Sequence, residues 1–194
     1  MLLFVGLGNP GARHVWNRHN VGFMAVDAIA KRHGFPPWRR RFQGVAAEAP
    51  LGGERVRLLL PETFMNESGR AVADAIRNAP SDVVVFVDWL QLPLGRVRVA
   101  KGGGLGGHNG LRSITAQIGN EYRQVRIGIG RPESKDMVHD YVLDNFEAHE
   151  LAWVEALTST IAEKADLLVR GEDTLFENSV RFILEAKGFG NLKR

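Results

Sequence analysis

The chain has 194 residues, of which 25 are Lys or Arg and 22 are Asp or Glu, so its formal net charge is only +3. This length predicts one domain with a substantial core, and 44% apolar residues is ordinary for a globular protein, which excludes disorder and collagen-like repeats. The chain has no cysteine, which excludes disulfides, Cys-ligated zinc, iron–sulfur clusters and a thiolate nucleophile. Because no apolar run approaches the ~20 residues of a membrane span, we expect no membrane partner.

Predicted strands and helices alternate along most of the chain. Apolar or alternating runs predict strands over residues 2–7, 56–60, 83–87, 96–100 and 125–129. Helical spacing of apolar residues predicts helices over residues 20–34, 66–77, 111–118, 151–168 and 176–183. This alternation is typical of an α/β fold. We therefore expect a single domain over residues 1–194, with a mixed, mostly parallel central sheet flanked by helices and two C-terminal helices.

Two glycine-rich stretches follow predicted strands. The first, Gly6–Gly11, fits the G-x-G-x-x-G fingerprint of dinucleotide-binding proteins, but residues 12–19 lack the apolar stripe of the helix that should follow. A nicotinamide-dependent enzyme is therefore an alternative that the pattern does not favour. The second, Gly102–Asn109, has the spacing of a P-loop but lacks its Lys and its Ser or Thr. It is either a mobile loop tip or a loop whose backbone N–H groups approach a phosphate or ester oxygen.

His19 and Asp88 are the candidate catalytic pair. Asp88 ends the most apolar predicted strand, where an unpaired carboxylate would be costly. A histidine is its natural partner, and a His–Asp pair forms a general base whose tautomer the carboxylate fixes. Because the sequence has neither cysteine nor a G-x-S-x-G motif, water is the expected nucleophile. A metal site built from His14, His19, Asp88 and His108 is the alternative use of these groups, although no two of them have the spacing of a metal motif.

Four asparagines stand at edges between loops and helices. Asn20, Asn66 and Asn109 begin predicted helices, where asparagine commonly serves as an N-cap. A carboxamide also offers two donors and an acceptor, which suits recognition of an ester or amide backbone. Together with Asn9, these residues therefore have two interpretations, as helix caps or as a polar substrate site.

Positive charges concentrate in two places. Trp38–Phe42 is a basic run between aromatic residues, and Lys101, Arg123, Arg126 and Arg131 flank the second glycine stretch. Charge runs usually form solvated surface. The alternative interpretation is a phosphate track that positions a nucleic acid without reading its sequence.

Four motifs resemble those of the bacterial-type peptidyl-tRNA hydrolases. They are Val5–Gly11 with Arg18–Gly22, Thr63–Asn66 with Ser68–Gly69, Gly102–Gly110, and Arg126–Gly130. The motifs occur in the family's order across nearly the whole chain, so the set is far more specific than any one motif. The resemblance implies a monomeric, cytoplasmic α/β esterase that needs no metal or other cofactor. Its expected reaction cleaves the ester between the peptide and the terminal ribose of peptidyl-tRNA, and its expected partner is the acceptor end of that tRNA.

The resemblance also assigns roles to individual residues. It makes His19 the general base and Asp88 the carboxylate that orients this base. We expect the substrate to be bound by Asn9, Asn20, Met65, Asn66, His108 and Asn109. We expect the tRNA phosphates to be bound by Lys101, Arg126 and Arg131.

The sequence departs from the family pattern around Asp88. Where the family usually has His-Asp-Glu-Leu-Asp-Leu, this chain has Val87-Asp88-Trp89-Leu90-Gln91-Leu92. Leu105 also replaces the first histidine of the family's glycine-rich motif. The base and its partner are retained, so we expect an active hydrolase. The altered neighbours leave a second hypothesis open, a catalytically weakened RNA-binding relative of the same fold.

Overall fold

One mixed β-sheet forms the centre of the fold in the computed structural model, which describes residues 1–77, 79 and 81–193. The strands of the described residues are β1 (Leu2–Gly6), β2 (Arg39–Arg41), β3 (Gly44–Leu51), β4 (Glu54–Pro61), β5 (Asp82–Trp89), β6 (Val97–Lys101) and β7 (Arg123–Gly128). Their order across the sheet is β2-β3-β4-β1-β5-β7-β6.

The four central strands, β4, β1, β5 and β7, run parallel to one another. Antiparallel pairing is confined to the margins, where β2 pairs with β3, β3 with β4, and β6 with β7. This arrangement confirms the predicted mixed sheet with a parallel centre. The sequence does not predict β2 or β3, because β2 is an arginine triplet that is extended only through its pairing with β3.

Helices cover the sheet on both sides. In the described residues they are α1 (Val21–Arg32), α2 (Ser68–Ile76), α3 (Asn109–Ile118), α4 (Val138–Leu143), α5 (Leu151–Glu163), α6 (Ala165–Val169) and α7 (Asp173–Ala186). The helix predicted over residues 151–168 is in fact two helices, since Lys164 interrupts the helical conformation with φ −100° and ψ 8°. Short 3₁₀ turns lead into several helices, and the turn Arg18–Asn20 before α1 carries His19.

The sheet separates two apolar clusters, because successive residues of a strand point to opposite faces. In β1, Phe4 packs with residues of α1, α5 and α7, while Leu3 and Val5 pack with residues of α2 and α3. Burial on both faces explains why the central strands are continuous apolar runs. No described helix is long and apolar enough to cross a lipid bilayer.

Close packing at two glycines places the start of α1. A Cβ on Gly22 would lie 2.2 Å from the carbonyl oxygen of Phe86, and a Cβ on Gly6 would lie 2.5 Å from the carbonyl oxygen of Gly22. The start of α1 therefore packs against the end of β1 and the middle of β5. The preceding turn places His19 beside Asp88, near the carboxyl end of β5. Packing against α1 also accounts for Gly6 in the G-x-G-x-x-G match.

Candidate active site

A cleft of about 750 Å³ lies where β1 and β5 end. Its lining includes the predicted site residues Asn9, His19, Met65, Asn66, Asp88, His108, Asn109 and Arg131. This position follows the general rule that open α/β sheets bind ligands at the carboxyl ends of their strands. Three other predicted site residues, Asn20, Lys101 and Arg126, are not part of the lining.

Asp88 is the centre of a hydrogen-bond network of three side chains. It is the penultimate residue of β5 and is 4% exposed. Its Oδ2 lies 2.8 Å from Nδ1 of His19, and its Oδ1 lies 2.8 Å from Nε2 of His108. Each carboxylate oxygen thus accepts a hydrogen bond from an imidazole, which offsets the cost of burying the charge.

His108 is fixed through both of its ring nitrogens. Its Nδ1 accepts hydrogen bonds from the backbone N–H groups of Gly110 at 3.0 Å and Leu111 at 3.4 Å, so the side chain caps the N-terminus of α3. The ring proton must therefore sit on Nε2, which donates it to Asp88. The resemblance suggests His108 as a substrate contact; in the structure His108 lines the cleft while both of its ring nitrogens are bound within the protein.

His19 has one ring nitrogen left for chemistry. Its Nδ1 donates to Asp88, which leaves Nε2 as an acceptor. The side chain is 14% exposed and lines the cleft. Its ring centre lies 4.8 Å from the ring centre of His108. The pair predicted from the buried carboxylate is thus in direct contact. Nε2 of His19 has no hydrogen-bond partner among the described residues, so it can accept a proton from water.

The pKa values of the pair move in opposite directions. Burial alone would lower the pKa of His19, but the charge and hydrogen bond of Asp88 outweigh burial and raise this pKa above its usual 6.5. Burial alone would raise the pKa of Asp88, but its interactions with His19 and His108 bring this pKa well below its usual range. Asp88 is therefore ionised at neutral pH, and His19 is a stronger base than a free imidazole.

Arg18 anchors the turn that carries His19. Its Nη2 lies 2.8 Å from Oε1 of Glu150, and both side chains are buried. Its guanidinium carbon also lies 4.3 Å from the centre of the Tyr141 ring in α4. Removing one partner of a buried ion pair typically costs about 3–5 kcal/mol, so this contact joins the His19 turn firmly to the helices beside it.

Asn20 holds the backbone of Asn9. Its Oδ1 accepts from the N–H of Asn9 at 2.8 Å, and its Nδ2 donates to the carbonyl oxygen of Asn9 at 2.9 Å. Asn20 is 2% exposed, so its carboxamide is occupied inside the protein. The side chain of Asn9 lines the cleft. The structure therefore places Asn20 behind the predicted substrate contacts and Asn9 among them.

The helix-cap interpretation of the asparagines does not hold. Asn20 precedes α1 without a capping hydrogen bond from its side chain, and His108 is the residue that caps α3. Asn66 lies inside a 3₁₀ turn, where Phe64 occupies the N-cap position. Asn66 and Asn109 instead line the cleft beside the mostly buried Met65.

The glycine-rich loop is held by side chains beneath it. The carbonyl oxygen of Gly104 accepts from Nη2 of Arg126 at 2.9 Å and from Nε2 of Gln124 at 3.3 Å. The carbonyl oxygen of Gly103 accepts from Nδ2 of Asn120 at 3.3 Å. Arg126 is partly buried, which lowers its pKa from the usual 12.5. Arg126, which was predicted to contact phosphate, thus lies under the loop and binds the loop backbone.

The predicted basic residues do not form one continuous track. Arg39–Arg41 form β2 at one edge of the sheet, whereas Lys101 ends β6 at the opposite edge. Arg123 is paired with Asp173 at 2.6 Å. Lys101 is exposed, and Arg131 lies in the lining of the cleft. Of the predicted basic residues, Arg131 is the one that lines the cleft with the catalytic pair.

The ligand atoms of His19, Asp88 and His108 lie within 4.8 Å of one another, a spacing that a metal ion also accepts. His14, the fourth residue of the metal alternative, points elsewhere, with its Nδ1 2.7 Å from Oδ1 of Asn17. The three clustered side chains already satisfy one another by hydrogen bonds at 2.8 Å. The geometry therefore fits a proton-transfer site.

One wall of the cleft was not predicted from the sequence. It consists of α4 and the turn before it, with Lys135, Val138, His139, Val142 and Leu143 in the lining. α4 has only six residues, too few to show the helical periodicity on which prediction depends. Its position against the Arg18–Asn20 turn becomes visible only in the folded chain.

Comparisons with known proteins agree with this geometry. A family model described as Peptidyl-tRNA hydrolase matches residues 3–185. The peptidyl-tRNA hydrolase of Afipia carboxidovorans is 58% identical over 192 residues, which cover 97% of this chain and 96% of that protein. The corresponding protein of Methylobacterium sp. (strain 4-46) is 59% identical over 197 residues, which cover 100% and 97%.

A solved structure shows the same fold. The crystal structure of peptidyl-tRNA hydrolase from Acinetobacter baumannii matches with a TM-score of 0.85 and 36% identity, over 93% of this chain and 94% of that chain. The chain belongs to the peptidyl-tRNA hydrolase family. It is an enzyme that hydrolyses the ester of peptidyl-tRNA, and the resemblance noted in its motifs is confirmed. Because the chain belongs to a family of hydrolases, the nicotinamide-dependent alternative is no longer supported.

Proposed function

We propose that this hydrolase uses His19 as a general base that activates water for attack on the peptidyl ester. Nε2 of His19 takes a proton from water, and the hydroxide adds to the ester carbonyl carbon. When the tetrahedral intermediate collapses, the bond to the 3′-oxygen of the terminal ribose breaks, and His19 returns the proton to that oxygen. The products are the free peptide acid and the tRNA.

The hydrogen-bond arrangement around Asp88 carries this proposal. Because Asp88 accepts the proton of Nδ1, the lone pair of His19 is on Nε2, the nitrogen that is free towards the cleft. The carboxylate also stabilises the imidazolium that forms when His19 accepts a proton. The raised pKa of His19 supports the same direction of proton transfer.

Carboxamides in the cleft are suited to the substrate. Asn9, Asn66 and Asn109 lie in the lining around His19. We propose that their amide groups bind the peptide backbone and stabilise the oxyanion, beside the apolar surface of Met65. One donor to an oxyanion contributes roughly 10²–10³ in rate, so these residues supply a large share of the acceleration.

We propose that the same carboxamides select substrates with a blocked N-terminus. A peptide offers backbone amides to the cleft, whereas a free aminoacyl group leaves these polar side chains without partners. Polar groups that a bound substrate shields from water and leaves unpaired discriminate strongly against that substrate. The proposal therefore includes a preference for peptidyl-tRNA over aminoacyl-tRNA.

The acceptor end of the tRNA is the proposed partner outside the cleft. Arg131 lines the cleft, and the exposed Lys101 directly precedes the glycine-rich loop; we propose that both contact phosphates. We propose that the protein acts as a monomer, as its resemblance to the family implies. Because peptidyl-tRNA arises during translation, we propose the cytoplasm as the place of action.

The experiment measures hydrolysis of an N-acetylaminoacyl-tRNA by the wild type, by His19→Ala and by His149→Ala. His149 serves as the matched control because its side chain is 56% exposed on the surface. We expect His19→Ala to lower kcat by about 10³-fold while tRNA affinity is retained, and His149→Ala to match the wild type. Turnover that survives in His19→Ala would overturn the proposal.

A second arm addresses the metal alternative. We expect the wild-type rate to be unchanged after prolonged treatment with EDTA. A rate that EDTA removes and an added divalent metal restores would favour a metal at His19, Asp88 and His108 instead.

A further inference from the structure

Trp89 follows Asp88 directly in β5, and its indole ring lies under the glycine-rich loop, defined here as Gly102–Gly107. Trp89 is 9% exposed. A Cβ on Gly106 would lie 2.7 Å from Cη2 of the indole, so the loop backbone rests directly on the ring. Only a glycine permits this close approach.

Arg126 connects the same indole to the loop by a second route. Its guanidinium carbon lies 4.0 Å from the centre of the Trp89 ring. Its Nη2 donates to the carbonyl oxygen of Gly104 at 2.9 Å, and its Nε donates to Oε1 of Gln124 at 2.9 Å. Gln124 is fully buried and itself donates to the same Gly104 oxygen at 3.3 Å. Trp89, Arg126 and Gln124 thus form one platform under the loop.

Two consecutive residues of β5 therefore hold the glycine-rich loop and the segment after it. Asp88 holds His108 through a hydrogen bond of 2.8 Å, and Trp89 supports the loop through Gly106 and Arg126. Leu105 packs in the same apolar cluster as Trp89. This shared cluster adds an apolar contact between the strand end and the loop.

We propose that Trp89 is a positioning residue, which acts with Arg126 to fix the glycine-rich loop so that His108 and Asn109 keep their places beside His19. This inference rests on the proposed function of His19 and Asp88. A flat aromatic ring under a guanidinium gives an attraction that depends on geometry as well as on charge. Its loss frees the loop, and a displacement of about 1 Å in a catalytic site can lower the rate by about 10²-fold.

The first test separates kcat from KM in Trp89→Ala and Trp89→Phe. We expect Trp89→Ala to lower kcat by about 10- to 100-fold, with KM changed by less than about threefold, because the loop supports the reacting groups. Trp89→Phe keeps an aromatic surface and should recover most of kcat. A Trp89→Ala enzyme with wild-type kcat, or with a change confined to KM, would overturn the proposal.

The second test distinguishes loop support from a simple phosphate contact at Arg126. Lysine keeps the charge but lacks the planar fork and the stacking surface. We expect Arg126→Lys to lower kcat as much as Arg126→Ala does. Arg98→Ala is the matched control, since Arg98 is the exposed partner of Arg126 in the β6–β7 register. Wild-type kcat in Arg126→Lys would contradict the platform.

The third test uses the coupling of the two residues. If Trp89 and Arg126 act through one platform, the double variant Trp89→Ala with Arg126→Ala should lose little more kcat than either single variant. Losses that simply multiply would show two independent roles and would refute the proposal.

A physical readout keeps this inference separate from the catalytic proposal. ¹⁵N relaxation of the amides of Gly103–Gly107 should show increased fast motion in Trp89→Ala and near-native values in Trp89→Phe. This result does not depend on whether His19 is the base. Unchanged relaxation in Trp89→Ala would overturn the positioning role even if His19→Ala proves inactive.

Discussion

His19 and His108 bind the same carboxylate, yet the structure gives them different capacities. His19 uses one nitrogen for Asp88 and keeps the other free towards the cleft. His108 uses one nitrogen for Asp88 and the other for the N-terminus of α3. The same residue type on the same partner thus becomes a base in one region and a support in the other. What the second ring nitrogen contacts decides the role.

Local backbone structure explains this difference. The first N–H groups of an α-helix have no partner within the helix and need an acceptor, and His108 immediately precedes α3. His19 lies within the 3₁₀ turn Arg18–Asn20, whose anchoring falls to its neighbours Arg18 and Asn20. Because the neighbours hold the turn, His19 itself remains available for proton transfer.

The largest effect should come from breaking the shared carboxylate. Asp88→Asn removes the charge that stabilises the His19 imidazolium and places an amide where both imidazoles donate. We expect kcat to fall by about 10³- to 10⁴-fold, measured with N-acetylaminoacyl-tRNA. Circular dichroism would confirm that the variant is folded. A loss of less than tenfold would show that Asp88 does not act through His19.

A smaller effect should follow from His108 variants, which test the supporting half of the comparison. His108→Ala removes the cap of α3, which should lower the free energy of unfolding by about 1–2 kcal/mol, and it should lower kcat by roughly tenfold through loss of the bond to Asp88. His108→Asn restores a good capping side chain and should recover most of the stability in urea unfolding. A His108→Ala enzyme as inactive as His19→Ala would make His108 a second base and break the comparison.

Asn20 and Asn9 differ in the same way as His108 and His19: Asn20 supports the structure, and Asn9 lines the cleft. Asn20→Ala removes two buried hydrogen bonds to the backbone of Asn9, so the free energy of unfolding should fall by about 1–3 kcal/mol. Asn9→Ala removes a side chain from the cleft and should lower kcat/KM with little change in stability. Urea unfolding and steady-state kinetics on both variants would check this. Equal destabilisation in the two variants would contradict this difference.

The smallest effect is expected at Lys101, which is exposed, in contrast to Arg126 under the loop. Lys101→Ala should leave kcat unchanged and lower the slope of log Kd for tRNA against log salt concentration by about 1. Binding measured at several salt concentrations provides the slope. An unchanged slope would remove Lys101 from the phosphate contacts.

The sequence predicted the parts of the molecule that depend on strong local rules. Continuous apolar runs identified the central strands, and the cost of an unpaired buried carboxylate connected Asp88 with His19. Asn9 and Asp88 both lie near the ends of predicted strands, and their place in one cleft agrees with the rule that open α/β sheets bind ligands at the carboxyl ends of their strands. These inferences need only the chain and the physics of burial.

Other parts depend on contacts that no local pattern records. β2 is extended because it pairs with β3, and α4 is too short to show a period. The cap that His108 provides depends on the exact start of α3, and element boundaries are the least certain part of a prediction. The position of Arg126 under Gly104 depends on the register between β6, β7 and the loop. Such features become visible only when the chain is folded.

The most direct test of the account is the pH dependence of kcat/KM in the wild type and in Asp88→Asn. Only neutral His19 accepts a proton, so activity should rise with pH through the pKa of His19. Since Asp88 raises this pKa, the wild-type midpoint should lie above 6.5. Without the carboxylate, burial alone acts on His19 and lowers its pKa, so the residual activity of Asp88→Asn should have a midpoint at lower pH. If the pH midpoint of kcat/KM is the same in Asp88→Asn as in the wild type, the claim that Asp88 makes His19 the base is contradicted.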